Sequence, residues 1–262
     1  MSPEGSSADA LVTPRDGPVR AIVLAAGLGR RLAGVSGGRP KALVEVGGMP
    51  LLEWTLRALE TAAVAEIVIV TGYRADDIER FVLSRHSLMP VAFRFNPDYA
   101  TANNIVSLLA AAEEFGDGAC ILNSDTLFDP LLAVKLVSAG KGSWLMVDGE
   151  EPLGSEEMKV VLDAGGLIRQ VSKELTPEAS AGEYIGLARF DTTGAQCVLD
   201  AARDLVDAGR TDVYYEDAIE AAAAYIELRP LWTGGRAWTE VDDDADHRRA
   251  IGIASALNGS GR

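Results

Sequence analysis

The run Ala21-Ile22-Val23-Leu24 is aliphatic on both faces and breaks into glycines at Gly27 and Gly29. That is the pattern of a parallel strand buried between helices and ending in a tight loop. Ile67-Val68-Ile69-Val70, inside a strand predicted over 66–71, has the same two-faced apolar character. Between these runs Leu51, Leu52, Thr55, Leu56 and Leu59 recur at helical spacing, predicting a helix over 50–63 with Pro50 at its first position. Helices are predicted over 75–84 and 102–115, and strands over 91–95 and 120–122. Strand and helix alternate, so the first half reads as α/β with a doubly wound, mostly parallel sheet.

The second half changes character. Strands are predicted over 144–147, 159–162, 167–172 and 184–190, with Gly165-Gly166 at a hairpin turn. Helices over 193–208, 214–224 and 244–257 and short strands over 226–231 and 238–241 complete it. The sheet is therefore mixed, with a small antiparallel extension. At 262 residues one domain over 20–257 suffices, after a leader over 1–19 rich in Ser, Pro, Asp and Gly and before a tail over 258–262.

The net charge of −15, from 24 Lys and Arg against 39 Asp and Glu, excludes nucleic acid as a partner, because phosphate contacts need a basic face. No apolar run reaches the roughly 18 residues of a bilayer span, so no membrane partner is expected. The leader lacks the basic-then-apolar order of a signal peptide. Cys120 and Cys197 have no CxxC neighbour and read as buried thiols, which points to the cytoplasm. A homo-oligomer is compatible with the sequence.

Against this acidity one segment reverses sign. From Gly27 to Lys41 the chain holds Arg30, Arg31, Arg39 and Lys41 and no acid, among five glycines. Glycines directly after a strand let backbone N–H groups approach phosphate oxygens, and basic side chains add charge-assisted bonds to the same oxygens. Two common phosphate loops fail here. A dinucleotide fingerprint wants a small third residue where Leu32 stands, and a P-loop wants Gly-Lys-Ser/Thr where the chain reads Pro40-Lys41-Ala42.

The joint pattern of Gly27-Leu28-Gly29-Arg30 and Pro40-Lys41 resembles the signature of nucleotide-sugar pyrophosphorylases and related nucleotidyltransferases. The resemblance continues at Asn123-Ser124-Asp125, at Gly182-Glu183-Tyr184-Ile185-Gly186 and at Trp238-Thr239-Glu240-Val241-Asp242, covering roughly 20–250. Asn103-Asn104-Ile105-Val106-Ser107-Leu108 and Glu157-Met158-Lys159-Val160 bring it nearest to small cytidylyltransferases that activate phosphocholine, aminoethylphosphonate or inositol phosphate.

The resemblance implies a Rossmann-like nucleotidyltransferase fold, with a nucleotide-binding half over 20–130 and an acceptor-binding half over 131–257. It implies a Mg²⁺-dependent reaction in which a phosphate or phosphonate oxygen attacks the α-phosphorus of a nucleoside triphosphate, most simply CTP, and pyrophosphate leaves. A phosphate monoester is largely ionised at neutral pH, so no general base is needed. His86 and His247 accordingly read as surface residues.

By the same resemblance Lys41 and Arg30 are catalytic, and Leu24, Ala25, Ala26, Gly27, Leu28, Gly29, Arg30, Lys41, Thr71, Gly72 and Asn104 bind the nucleotide. Arg31 is read as solvated. Asp125 and Asp242 are the expected metal ligands, with Glu240 an alternative to Asp242 because strand alternation puts both on one face. Lys159 and Lys173 are expected on the acceptor's phosphate. Glu183, Tyr184, Tyr214, Tyr215, Glu216 and Asp217, with Trp144, Trp232 and Trp238 also in the second half, could enclose a cationic acceptor. A sugar-1-phosphate acceptor with UTP, dTTP or GTP is the alternative, favoured if residues 214–217 face the core. A non-catalytic nucleotide-sensing subunit is a third reading, opposed by the retention of Lys41, Asp125 and Asp242.

Overall fold

The computed structural model describes residues 19–85, 87–150 and 152–259, so the leader over 1–18, His86 and the end of the tail lie outside the described residues. The side chain of Arg30 lies outside them too.

Strand β1 (Arg20–Ala25) is followed by short helical turns at Arg30–Leu32 and Lys41–Leu43, with helix α1 (Ala33–Ser36) between them. A two-residue ladder, β2 (Glu45–Val46) with β3 (Met49–Pro50), leads into α2 (Leu51–Thr61). Pro50 is therefore the residue before the helix rather than its first position, and its φ of −59° and ψ of 148° are extended. Next come β4 (Glu66–Thr71), α3 (Ala75–Leu83), β5 (Val91–Phe95), α4 (Asn104–Ala110), α5 (Ala112–Phe115) and β6 (Ala119–Asn123). The helix predicted over 102–115 is two: Asn103 caps the first, its side chain accepting from Asn104 N, and Ala111 breaks the pair at φ −110°, ψ 24°.

The second half runs β7 (Thr126–Phe128), α6 (Pro130–Val137), β8 (Ser143–Asp148), β9 (Lys159–Leu162), β10 (Ile168–Ser172), β11 (Gly182–Phe190), α7 (Thr192–Asp207), α8 (Tyr215–Ala222), β12 (Leu228–Trp232), β13 (Trp238–Glu240) and α9 (Asp244–Gly259). The last helix thus extends into the expected tail. In the main sheet β6, β1, β4 and β5 lie parallel, and β11 joins the edge of β6 antiparallel. Beyond it β9 and β10 form the expected hairpin, while β8 pairs β11 and carries β12 parallel on its far side. A register shift between Tyr184 and Ala188 bulges β11 at Gly186, whose φ of +78° suits glycine. A Cβ there would lie 2.6 Å from the Asn123 side-chain amide, so the bulge is also what lets β11 pass the end of β6.

Successive residues of β1 feed different cores, which is why the strand had to be apolar on both faces. Ile22 and Leu24 pack with Val68, Val70 and Ile121 beneath α4, α7 and α8. Ala21 and Val23 pack with Ile67, Ile69 and Leu122 beneath α2 and α6. Each Val, Leu or Ile side chain among them contributes about 1.5–3 kcal/mol on full burial. A third, smaller cluster joins Leu32, Val44, Trp54, Leu127, Val241 and Ala254. It braces the glycine-rich loop against β7 and α9.

Candidate active site

Between β1 and β6 the chain's direction of travel across the sheet reverses: β4 and β5 are added on one side of β1, and β6 on the other. Ligand crevices of open α/β sheets form outside the carboxyl ends of strands at such a point. Here those ends release Gly27–Gly29 from β1 and Asn123–Asp125 from β6. The small sheet of β7 and β13 brings a third segment: Glu240 lies opposite Thr126, and Val241 N donates to Asp125 O at 3.0 Å. Asp125, Glu240 and Asp242 are thereby gathered from two distant stretches of sequence.

Lys41 stands between the acids. Its Nζ donates to Asp125 Oδ2 at 2.7 Å and also to Asp242 Oδ1. Burial opposes the charged ammonium, but the two carboxylates outweigh it and hold the Lys41 pKa above the ordinary lysine value. Asp242 is shifted the other way: burial would raise its pKa, and Lys41 and Arg31 bring it below the usual carboxylate value. Arg31, expected to be solvated, instead donates from Nη2 to Asp242 Oδ2 at 2.6 Å. The Gly27–Lys41 segment is pinned at its far end by Arg74 Nη1, 2.8 Å from Gly38 O, while Arg39 is taken up by Glu45 at 3.1 Å.

Asp125 does not cap the helix that follows it; Asp129 does, accepting from Leu131 N at 2.9 Å. Instead Asp125 Oδ1 is buried without a hydrogen-bond partner among the described residues. A buried carboxylate oxygen left without a donor fits a cation. Among the described residues no three His, Cys, Asp or Glu side chains are set as a ready cage, and Lys41 lies between Asp125 and Asp242. Two carboxylates nonetheless suit Mg²⁺, which keeps several waters.

Three adjoining cavities open here. One of about 280 Å³ is lined by Leu24 to Leu28, Asn96, Tyr99, Asn103, Asn104 and Ser107, and holds most of the expected nucleotide residues. Thr71 and Gly72 do not line it. Thr71 is fully buried, and Gly72 backs onto Tyr99, where a Cβ would lie 2.6 Å from the Tyr99 Cβ. Asn104 lines it as expected, and its Oδ1 also accepts from Tyr215 N at 2.8 Å, tying α4 to α8. The second cavity, about 310 Å³, is lined by Gly27, Gly29, Lys41, Asp125, Glu240 and Asp242 together with Lys173, Tyr184, Tyr214 and Glu216. The third, about 680 Å³, shares Lys173, Glu240 and Asp242 and adds Glu183 and Trp238.

Several expected acceptor residues have other duties. Lys159 is fully buried, and its Nζ donates to the carbonyls of Gly154, Ser155 and Glu157, so it anchors a loop rather than a ligand. Asp217 accepts from Tyr214 N at 3.0 Å as the cap of α8. Tyr215 belongs to the core: its hydroxyl bonds the Tyr184 hydroxyl at 2.8 Å and donates to Asn123 Oδ1 at 3.2 Å. Trp144 is covered by Arg229, 5.5 Å from its ring, and neither it nor Trp232 lines the three cavities. Lys173 does reach the site, 5.5 Å over the Tyr214 ring. Cys120 is buried but Cys197 only half-buried, and both are free thiols. His247 is half-buried rather than freely exposed, with Nε2 2.7 Å from Glu45 O.

The carboxyls facing Lys173 are crowded. Burial first, then Asp125 and Asp242, raise Glu240 to about 7. Burial and Glu240 raise Glu216 to about 8, and burial with Glu240 and Glu157 raises Glu183 to about 8. Sequence reasoning missed Arg31, Asn96, Tyr99 and Ser107 as site residues. Only the Asn103-Asn104 pair, an N-cap signal, hinted that α4 begins at the cavity.

The fold and this constellation define a nucleotide-handling transferase domain. Residues 21–155 match the family model of the MobA-like NTP transferase domain, and the chain belongs to that family. It is 33% identical to the CMP-5'-(3-aminopropyl)phosphonate synthase of Streptomyces rubellomurinus over 248 residues, covering 91% of this chain and 39% of that one. The chain thus spans well under half the length of that relative. It is 24% identical to the choline-phosphate cytidylyltransferase of Streptococcus pneumoniae, over 88% of this chain and 96% of that one. Among solved structures, that of the CTP:phosphocholine cytidylyltransferase LicC from Streptococcus pneumoniae superposes with a TM-score of 0.76 at 23% identity, covering 90% and 99%. The inositol-1-phosphate CTP transferase of T. maritima gives 0.74 at 20% identity, covering 93% and 98%. Both confirm the α/β fold. No helix among the described residues is long and apolar enough to cross a membrane.

Proposed function

We propose that this chain is a cytidylyltransferase that moves CMP from CTP onto a small phosphorylated alcohol or a phosphonate, such as phosphocholine or aminoethylphosphonate, and releases pyrophosphate. The observation that carries the reading is Lys41, held between Asp125 and Asp242 at the mouth of a cavity that also contains Lys173. Cytidine as the base rests on the relatives' names.

In this reading the nucleoside lies in the cavity beside Asn104 and Tyr99, and the triphosphate crosses the backbone N–H groups of the Gly27–Gly29 loop. Lys173 holds the acceptor's phosphate or phosphonate. Its oxygen attacks the α-phosphorus in line; the new P–O bond forms as the α–β bridging bond breaks, and its electrons leave with pyrophosphate. Lys41, drawn from the carboxylates to the α-phosphate, stabilises the charge that gathers there. Asp125 and Asp242 would hold a Mg²⁺ ion, which would supply further charge neutralisation when bound. We place the reaction in the cytoplasm, with which the free thiols accord.

The test is pyrophosphate release with Mg²⁺, crossing CTP, UTP, GTP, ATP and dTTP against phosphocholine, phosphoethanolamine, aminoethylphosphonate, inositol phosphate and hexose 1-phosphates. We expect CTP with an amine-bearing acceptor to be turned over. Release only with hexose 1-phosphates would move the chain to sugar-nucleotide synthesis, and release with nothing would leave a nucleotide-sensing role.

A further inference from the structure

Glu216 is the second residue of α8 and only 4% exposed, yet it lines the cavity shared by Lys41 and Lys173. Its Oε2 is buried without a hydrogen-bond partner among the described residues. Leaving such an acceptor unmade is costly, and more so when it is charged. A donor entering the cavity would remove that cost. Glu240 lines the same space, so together with Glu216 it offers carboxylate oxygens to a ligand there.

We propose that Glu216, with Glu240 beside it, receives the acceptor's primary ammonium group, and that the cavity selects a primary amine over a quaternary one. The inference rests on the transfer reading above. A primary ammonium brings three N–H donors to the orphaned Glu216 oxygen, and its charge favours release of the proton that burial keeps on that carboxyl, whereas a trimethylammonium brings no donor and is recognised by aromatic cages. Among the described residues no such cage lines this cavity. The Tyr214 face is taken by Lys173, and Tyr184 is 1% exposed with its hydroxyl bound to Tyr215. No tryptophan lines this cavity. A small zwitterion can therefore set its phosphate or phosphonate on Lys173 and its amine on Glu216 within one space of about 310 Å³.

The experiment is pyrophosphate release with CTP on matched acceptors: phosphoethanolamine against phosphocholine, and 2-aminoethylphosphonate against its N,N,N-trimethyl derivative and against propylphosphonate. The unsubstituted protein should favour the primary amine at least tenfold in kcat/KM within each pair. In Glu216→Gln, an isosteric change checked by thermal unfolding, the advantage of 2-aminoethylphosphonate over propylphosphonate should shrink at least tenfold, mainly through KM. Equal or faster turnover of the quaternary acceptors, or an unchanged advantage in Glu216→Gln, would overturn the inference and leave the transfer reading standing. Release with no acceptor would overturn the transfer reading itself and the inference with it.

Discussion

Lys41 Nζ lies 2.7 Å from Asp125 Oδ2 while Asp125 Oδ1, on the same carboxylate, is buried without a partner. The ammonium thus occupies the space between two acids that a divalent cation would need. Lys41→Met should lower CMP transfer about 10²–10³-fold, the usual cost of losing one fixed transition-state donor. The same change should tighten the binding of Mn²⁺ alone, followed by electron paramagnetic resonance without nucleotide, because no lysine then competes for Asp125 and Asp242. Mn²⁺ binding equal to that of the unsubstituted protein would show that Lys41 does not guard the acids.

Lys159 and Lys173 stand in similar strand-like surroundings in sequence and do opposite work. Lys159→Met leaves three loop carbonyls without their donor in a fully buried place, and at about 1–3 kcal/mol for a buried group left unsatisfied it should depress the melting temperature by several degrees. Lys173→Met should leave the melting temperature within about a degree and raise the acceptor's KM at least tenfold. A Lys159 variant as stable as the parent but impaired in acceptor binding would return that residue to the site.

This contrast shows what the sequence carries and what it does not. The two-faced apolar runs of β1 and β4 place the sheet, and the sign reversal from Gly27 to Lys41 places the crevice. Both signals are local. The duties of Lys159 depend on carbonyls of its own preceding loop, which no side-chain pattern displays. β7 is three residues long, too short for a period, yet without it Glu240 has no route to Asp125. Tyr215 and Glu216 are neighbours on α8, and one enters the core while the other faces the cavity. Helical spacing with Ile219 accounts for Tyr215, but a buried glutamate beside it has no local explanation and is legible only once the cavity is seen.

Gly29 and Lys41 meet across the loop: Gly29 has φ +59°, and a Cβ there would lie 2.9 Å from the Lys41 Cβ. Gly29→Ala should therefore displace the stem of Lys41 as well as strain the backbone. We expect kcat to fall at least tenfold with little loss of melting temperature, since Gly29 lies outside the packed cores. Unaltered kcat would mean that Lys41 is positioned by its two carboxylates alone.

Glu183 and Glu216 hold their protons up to about 8, against 4.5 for an ordinary glutamate, chiefly because burial disfavours the charged form. Between those values the folded chain binds more protons than the unfolded one, so stability must fall as pH rises through that window. Asp242 acts in the opposite sense. Its depressed pKa stabilises the fold above the ordinary aspartate value of 3.8, and that contribution is lost as acid takes the pH down through the depressed value. The unliganded protein should thus be most stable at mildly acidic pH. From pH 5.5 to 9 at fixed ionic strength its melting temperature should fall by on the order of 5 °C. Glu183→Gln and Glu216→Gln together should flatten that slope, because an amide keeps the neutral form at every pH. A melting temperature independent of pH in the parent would mean that both carboxyls are already ionised at neutrality, compensated by a cation within the site.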